Sequence, residues 1–253
     1  RLEGHTAAVR QVKVDWDRAQ ALSVSYDWDL RVWDLEGKSC LSVLQSHKGA
    51  VIGIAPDWDT GKVLTTSTDQ SLKLWDLQAE TCLTTLLGHT SAVWAASIEP
   101  TSNRRAFSGS KDRHVMEWDL RAGSCVRALL HHQLPISCLD VDWPTGQAMT
   151  ASIDRTLLLW DIEVGEPLER YDKHPGCIYS MEVDWTARRM VSGAGPGDDT
   201  VRLWDFSDGF CAKEIFGHDG TVWAVSVDWD AAYRAVQEAE GIGVDPNVQG
   251  LGV

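Results

Sequence analysis

Trp-Asp recurs five times at nearly even intervals, and that interval constrains the fold more than any other feature of the chain. The pairs are Trp33-Asp34, Trp75-Asp76, Trp118-Asp119, Trp160-Asp161 and Trp204-Asp205, with successive tryptophans 42, 43, 42 and 44 residues apart. A period of about 40 to 45 residues marks a repeat architecture, in which one supersecondary unit is written several times and each copy leans on its neighbours. The first unit shows the anatomy. Gly4-His5-Thr6-Ala7-Ala8 supplies turn chemistry, and residues 9–16 alternate with Arg10, Val12, Val14 and Trp16 on one face, the period-two pattern of a strand. Residues 21–25 predict a second strand, 26–29 a tight polar turn, 30–34 a third strand and 40–44 a fourth. Four short strands separated by turn signals read as one antiparallel meander.

The later units depart from this pattern locally. Unit two opens on Ser46-His47 and unit four on His131-His132. Unit three carries an extra residue around Glu99-Pro100-Thr101, and unit five two more at Gly195-Pro196-Gly197. The spacing predicts one domain over 1–253, with repeats at about 4–45, 46–87, 88–130, 131–172 and 173–216. A sixth, over 217–237, starts with Gly217-His218 and a strand across 221–229, then fades near Ala235-Val236 without a Trp-Asp; an irregular tail follows over 238–253.

Charge and cysteine usage narrow the function. The 23 basic and 37 acidic side chains leave a formal net charge of −14, a field that repels phosphates and argues against a nucleic-acid or anionic-membrane partner. No apolar run approaches the roughly 20 residues that span a bilayer, and no secretory signal precedes the first repeat, so an intracellular protein, cytoplasmic or nuclear, is expected. Cys40, Cys82, Cys125 and Cys211 share one place in four units, Cys138 and Cys177 fall elsewhere, and there is no CxxC pair. Six reduced, packed thiols are expected, with no metal and no cofactor.

Gly-His, then Ser-x-Ser-x-Asp or a variant, then Trp-Asp, in register five times, resembles the WD-repeat family. The resemblance covers roughly residues 1–230 and implies an all-β fold, a β-propeller of four-stranded antiparallel blades. Five complete units and a broken sixth predict a partial ring or fragment of a seven-bladed propeller. The start at Arg1 rather than Met, with Arg1-Leu2 aligning to Leu86-Leu87, predicts an earlier repeat upstream.

Each unit also carries a His, a hydroxyl, an Asp and the Trp at fixed offsets. The sets are His5, Ser23, Asp27, Trp33; His47, Thr65, Asp69, Trp75; His89, Ser108, Asp112, Trp118; His132, Thr150, Asp154, Trp160; and His174, Ser192, Asp198, Trp204. A Ser-His-Asp set invites a hydrolase reading. Five equivalent active sites without an oxyanion motif are implausible, however, and the resemblance implies structural tetrads in which a hydroxyl accepts the indole N–H. The repeated Asp-Trp closing the first strand, at 15–16, 57–58, 142–143, 184–185 and 228–229, is expected to pack between blades; unit three has Ile98-Glu99 there.

By resemblance, partners dock on the narrow face, on side chains flanking the first-strand Val or Ile and on the residue before the tetrad Asp. Blade one offers Ala8, Arg10 and Tyr26; blade two Ala50, Ile52 and Thr68; blade three Ala92, Trp94 and Lys111. Blade four offers Pro135, Ser137 and Ile153; blade five Cys177, Tyr179 and Gly197; the sixth unit Thr221 and Trp223. The expected function is a non-enzymatic scaffold for peptide or protein partners. The alternative is a substrate receptor of a cullin–RING ubiquitin ligase, since Trp118-Asp119-Leu120-Arg121 is similar to the WD-x-Arg box that contacts the ligase adaptor, with Arg121 as the key charge. A propeller enzyme ranks below both, because no residue cluster with catalytic spacing occurs only once.

Overall fold

The alternation within each unit resolves into four strands. A computed structural model describes residues 1–207 and 209–229. The first sheet is β1 (Val9–Asp15), β2 (Gln20–Ser25), β3 (Asp29–Asp34) and β4 (Ser39–Gln45), and the second β5 (Val51–Asp57), β6 (Lys62–Ser67), β7 (Leu72–Asp76) and β8 (Thr81–Leu86). The third is β9 (Val93–Ile98), β10 (Arg105–Ser110), β11 (Val115–Asp119) and β12 (Ser124–Leu129). The fourth is β13 (Ile136–Asp142), β14 (Gln147–Ser152), β15 (Leu157–Asp161) and β16 (Glu166–Tyr171), and the fifth β17 (Ile178–Asp184), β18 (Arg189–Ala194), β19 (Val201–Asp205) and β20 (Phe210–Ile215). Each sheet pairs its strands antiparallel in chain order.

A blade has two apolar faces and must bury both. Four buried clusters do this, each uniting consecutive sheets: Leu22, Val24, Leu30 and Leu44 with Val51, Ile54 and Trp75; Leu64, Leu72 and Leu86 with Val93, Met116 and Trp118; Phe107 and Val115 with Ile136, Leu158 and Trp160; Met149, Leu157 and Tyr171 with Ile178, Met190 and Trp204. The repeated tryptophan of the second to fifth blades (Trp75, Trp118, Trp160 and Trp204) therefore seals the junction with the blade before it. Among the described residues no cluster joins the first sheet to the fifth, so the blades form an open arc.

The leading face of the first blade shows what an absent neighbour does. Val51, Val93, Ile136 and Ile178 are fully buried, whereas Val9 at the same repeat position is 49% exposed. Trp16 is 81% exposed. Its counterparts wedge between sheets: Trp58 packs into the first junction, Trp143 lies 5.8 Å from Phe107 and donates its indole N–H to Ser97, and Trp185 lies 5.7 Å from Phe206 and donates to Asp140. Unit three, lacking this tryptophan, closes its junction with polar groups instead. Asn103 Nδ2 donates to Asp57 Oδ2 (3.0 Å) and Thr60 Oγ1 (2.8 Å), and the Thr101 N–H also reaches Asp57 (3.0 Å).

Two expectations need correction. First, the simple alternation across 9–16 is interrupted by a bulge at Arg10, so the strand is Val9–Asp15 and Trp16 falls in the turn beyond it. Second, residues 221–228 form no strand. They lie against the fifth blade through Val222 N–H to Ala194 O (2.9 Å) and Ser180 Oγ to Val222 O (3.1 Å), with no second strand beside them among the described residues. Ala235-Val236 and the 238–253 tail lie outside the described residues.

Candidate functional site

The first strand of every sheet carries a bulge at one repeat position. The register skips from Val9 to Gln11, Val51 to Gly53, Val93 to Ala95, Ile136 to Cys138 and Ile178 to Ser180. The residues left unpaired are Arg10, Ile52, Trp94, Ser137 and Tyr179. A bulge re-aims its extra side chain, and all five point into one cleft of about 500 Å³ at the centre of the arc.

A second ring comes from the residue after each second strand, whose N–H is tied back to the chain entering the blade. Tyr26 N–H donates to Ala8 O (3.0 Å), Thr68 to Ala50 O (2.9 Å) and Ile153 to Pro135 O (2.9 Å). Their side chains, with Trp223 from the sixth unit, complete the lining. Tyr179 and Trp223 pack against one another with ring centroids 4.9 Å apart.

Seven of the proposed docking residues thus meet in one place: Arg10, Tyr26, Ile52, Trp94, Ile153, Tyr179 and Trp223, joined by Thr68 and Ser137. Lys111 does not join them. Its backbone is tied like that of Tyr26, with its N–H 2.8 Å from Ala92 O, but its exposed side chain stays outside the lining because a long stem carries an ammonium readily into water. In the fifth blade the equivalent position is Gly195, whose N–H bonds Cys177 O (2.8 Å), and not Gly197; the two inserted residues follow Gly195, before Asp198. A Cβ on Gly195 would come within 2.5 Å of the Tyr179 ring. Repeat spacing alone could not find this, because the insertion can be placed on either side of the position.

Two groups on β13, Cys138 and Asp140, feel charges carried by β1. Burial pushes the Cys138 thiol up to about 11, against the opposing field of Arg10. Burial also raises the Asp140 carboxyl, although the Trp185 indole, the Val141 N–H and Lys13 favour its charge. Among the described residues no group of three or more His, Cys, Asp or Glu side chains is placed to hold a metal.

The tetrads form five hydrogen-bond chains of one polarity. The indole N–H donates to the Ser or Thr hydroxyl (2.7–2.8 Å), the hydroxyl to His Nε2 (2.6–2.8 Å), and His Nδ1–H to the Asp carboxylate (2.5–3.0 Å). This direction leaves every group satisfied. The same carboxylates hold the β2–β3 type of turn: Asp27, Asp69, Asp112 and Asp154 accept from the N–H two residues on, across Trp28, Gln70, Arg113 and Arg155 at φ of 75°, 71°, 77° and 74°. That backbone region disfavours residues with a Cβ. Thr65, Ser108, Thr150 and Ser192 are fully buried, so these hydroxyls are closed to substrate.

The Trp-Asp aspartates cap the following turns. Asp34, Asp76, Asp119, Asp161 and Asp205 each accept from backbone N–H groups two or three residues later. Arg121 sits in one such turn with its own N–H 2.8 Å from Asp119 Oδ1 and its side chain exposed. It lies at the opposite end of β11 from Asp112, away from the central cleft.

Blades of four antiparallel strands arrayed about a common cleft define a β-propeller. Five segments, residues 1–34, 38–76, 80–119, 123–161 and 165–205, match the family model described as WD domain, G-beta repeat. The chain belongs to the WD-repeat family, whose propellers serve as protein-interaction scaffolds. Each matched segment ends at a Trp-Asp, so from the second onward each takes the last strand of one sheet and the first three of the next. No curated protein matches the chain. No helix of the described residues is long and apolar enough to cross a membrane.

Proposed function

We propose that this propeller is a non-enzymatic scaffold that docks a peptide or protein partner in the central cleft, on the face carrying the tetrad His and Asp residues. One observation carries the reading: five successive bulges aim five unlike side chains into a single cleft. The fold requires a bulge in each blade but not the identity of the residue on it, so Arg10, Ile52, Trp94, Ser137 and Tyr179 are available for recognition. Aromatic and Arg side chains are the usual anchors of protein interfaces, since they bury much area at modest entropic cost. The net charge of −14 favours a protein over a nucleic acid as partner. Free thiols at all six cysteines support an intracellular setting, cytoplasmic or nuclear.

The test is affinity capture of partners from cells, followed by repetition with Trp94→Ala and Tyr179→Ala. Both variants are expected to keep the wild-type circular dichroism and melting behaviour while losing a shared set of partners. Full recovery of those partners by the folded variants would move the docking site elsewhere. A second reading, recruitment of a ubiquitin-ligase adaptor through Arg121, is favoured by the exposure of that guanidinium beside Trp118-Asp119. It requires that adaptor co-purify and be lost in Arg121→Ala but not in Trp94→Ala.

A further inference from the structure

The cleft has an asymmetry that selects its ligand. Tyr26, Trp94, Tyr179 and Trp223 give it aromatic walls, and among the described residues Arg10 is the one charged side chain lining it. Arg10 is exposed and, among the described residues, its side chain makes no ion pair and donates no hydrogen bond. Arg18, Arg105, Arg127 and Arg202 each hold a carboxylate within 2.9 Å. Arg10 instead stands on a bulge that aims it into the cleft, where among the described residues no carboxylate joins it in the lining.

We propose that the cleft takes a peptide segment in which an Asp or Glu stands within a few residues of an aromatic or large aliphatic side chain. The carboxylate pairs with Arg10, and the apolar group inserts between Trp94 and the Tyr179–Trp223 pair. A guanidinium presents a planar fork that matches a carboxylate through two parallel hydrogen bonds. Inside a half-enclosed cleft that pairing is screened less than on open surface. A volume of about 500 Å³ lies within the usual range of ligand clefts. Aromatic walls alone would equally suit a cation, and the protein's overall negative charge would attract one. Arg10 decides against it, because a cation bound there would sit beside an unneutralised guanidinium. The inference rests on the reading of the cleft as the docking site.

The test is to pan the intact chain against a phage-displayed library of random dodecapeptides and measure enriched peptides by fluorescence anisotropy. The expected peptides carry an acidic residue near Trp, Phe or Leu. Arg10→Ala is expected to weaken them about tenfold or more, and replacing the peptide's acid by its amide should weaken binding to wild type by a similar factor while changing little against Arg10→Ala. Trp94→Ala should abolish binding. Peptides sensitive to Trp94→Ala but indifferent to Arg10→Ala, or enriched in Lys and Arg, would overturn the acidic preference and leave the docking cleft standing. Peptides indifferent to both substitutions, or no enrichment at all, would overturn the two together.

Discussion

Ser108 Oγ takes the Trp118 N–H at 2.8 Å and gives its own proton to His89 Nε2 at 2.7 Å, and all three side chains are buried. Removing that oxygen strands a buried donor and a buried acceptor, and each unsatisfied group costs about 1–3 kcal/mol. Ser108→Ala is therefore expected to destabilise the protein by about 3 kcal/mol, read as a lowered urea midpoint. Ser108→Thr should retain most of the stability, since Thr65 and Thr150 make the same two bonds in neighbouring units. A loss as large for Thr as for Ala would mean that the shape of the site, and not its hydrogen bonds, sets the cost. Gly195 works by the opposite logic. Its side-chain-free surface leaves room for the Tyr179 ring, so Gly195→Val should displace Tyr179 and weaken partner capture with little loss of stability.

At the scale of the blade, one sequence signature has two outcomes depending on what stands in front of it. Asp15-Trp16 and Asp184-Trp185 are indistinguishable as text, yet Trp185 is wedged against Phe206 and bonded to Asp140 while Trp16 is almost bare. Trp185→Ala should cost about 3 kcal/mol, as large-to-small changes in packed sites do, whereas Trp16→Ala should stay within about 0.5 kcal/mol. Chemical denaturation of the two variants side by side checks this, and equal losses would mean that the first blade's face is covered in solution. The same pair shows where sequence reasoning stops. The four strands of each unit and the hydrogen-bond partners of each tetrad were legible because they recur at fixed offsets. The cleft-lining positions were legible from the same register. The bulge was not, because Arg10, Val12, Val14 and Trp16 alternate too well to betray the extra residue. Nor was the Asn103 bridge to Asp57 and Thr60, because a contact unique to one junction has no repeat to reveal it. Lys111 was placed in the cleft by position alone, and position does not fix where a long polar side chain ends.

The whole molecule inherits a pH dependence from five copies of one motif. Burial disfavours the charge on Asp27, Asp69, Asp112, Asp154 and Asp198, but hydrogen bonds from the tetrad histidines, from turn hydroxyls and from backbone N–H groups outweigh it and hold all five carboxyls below their usual range. The unfolded chain, with reference values near 4, therefore takes up protons first as pH falls, and the stabilisation from these groups is full above about pH 5 and is lost progressively below about pH 4. His174 adds a smaller step at higher pH. Burial lowers it despite Asp198, so folding favours its uncharged form and loses stability as pH drops below about 6.5. Asp140 opposes both, since burial raises it and the unfolded chain ionises first, costing stability as pH rises through about 4. One carboxyl against five does not reverse the sign. The urea midpoint is expected to be level from pH 8 to 7, to decline gently between about 6.5 and 5, and to fall steeply below about 4. Asp112→Asn should lower the midpoint at neutral pH and flatten the acid limb, because one fewer proton distinguishes the two states. A midpoint that rises on acidification from pH 5 to 3 would show that relief of the net charge of −14 outweighs the tetrads, and that the carboxylates at the turns are not what holds the blades in acid.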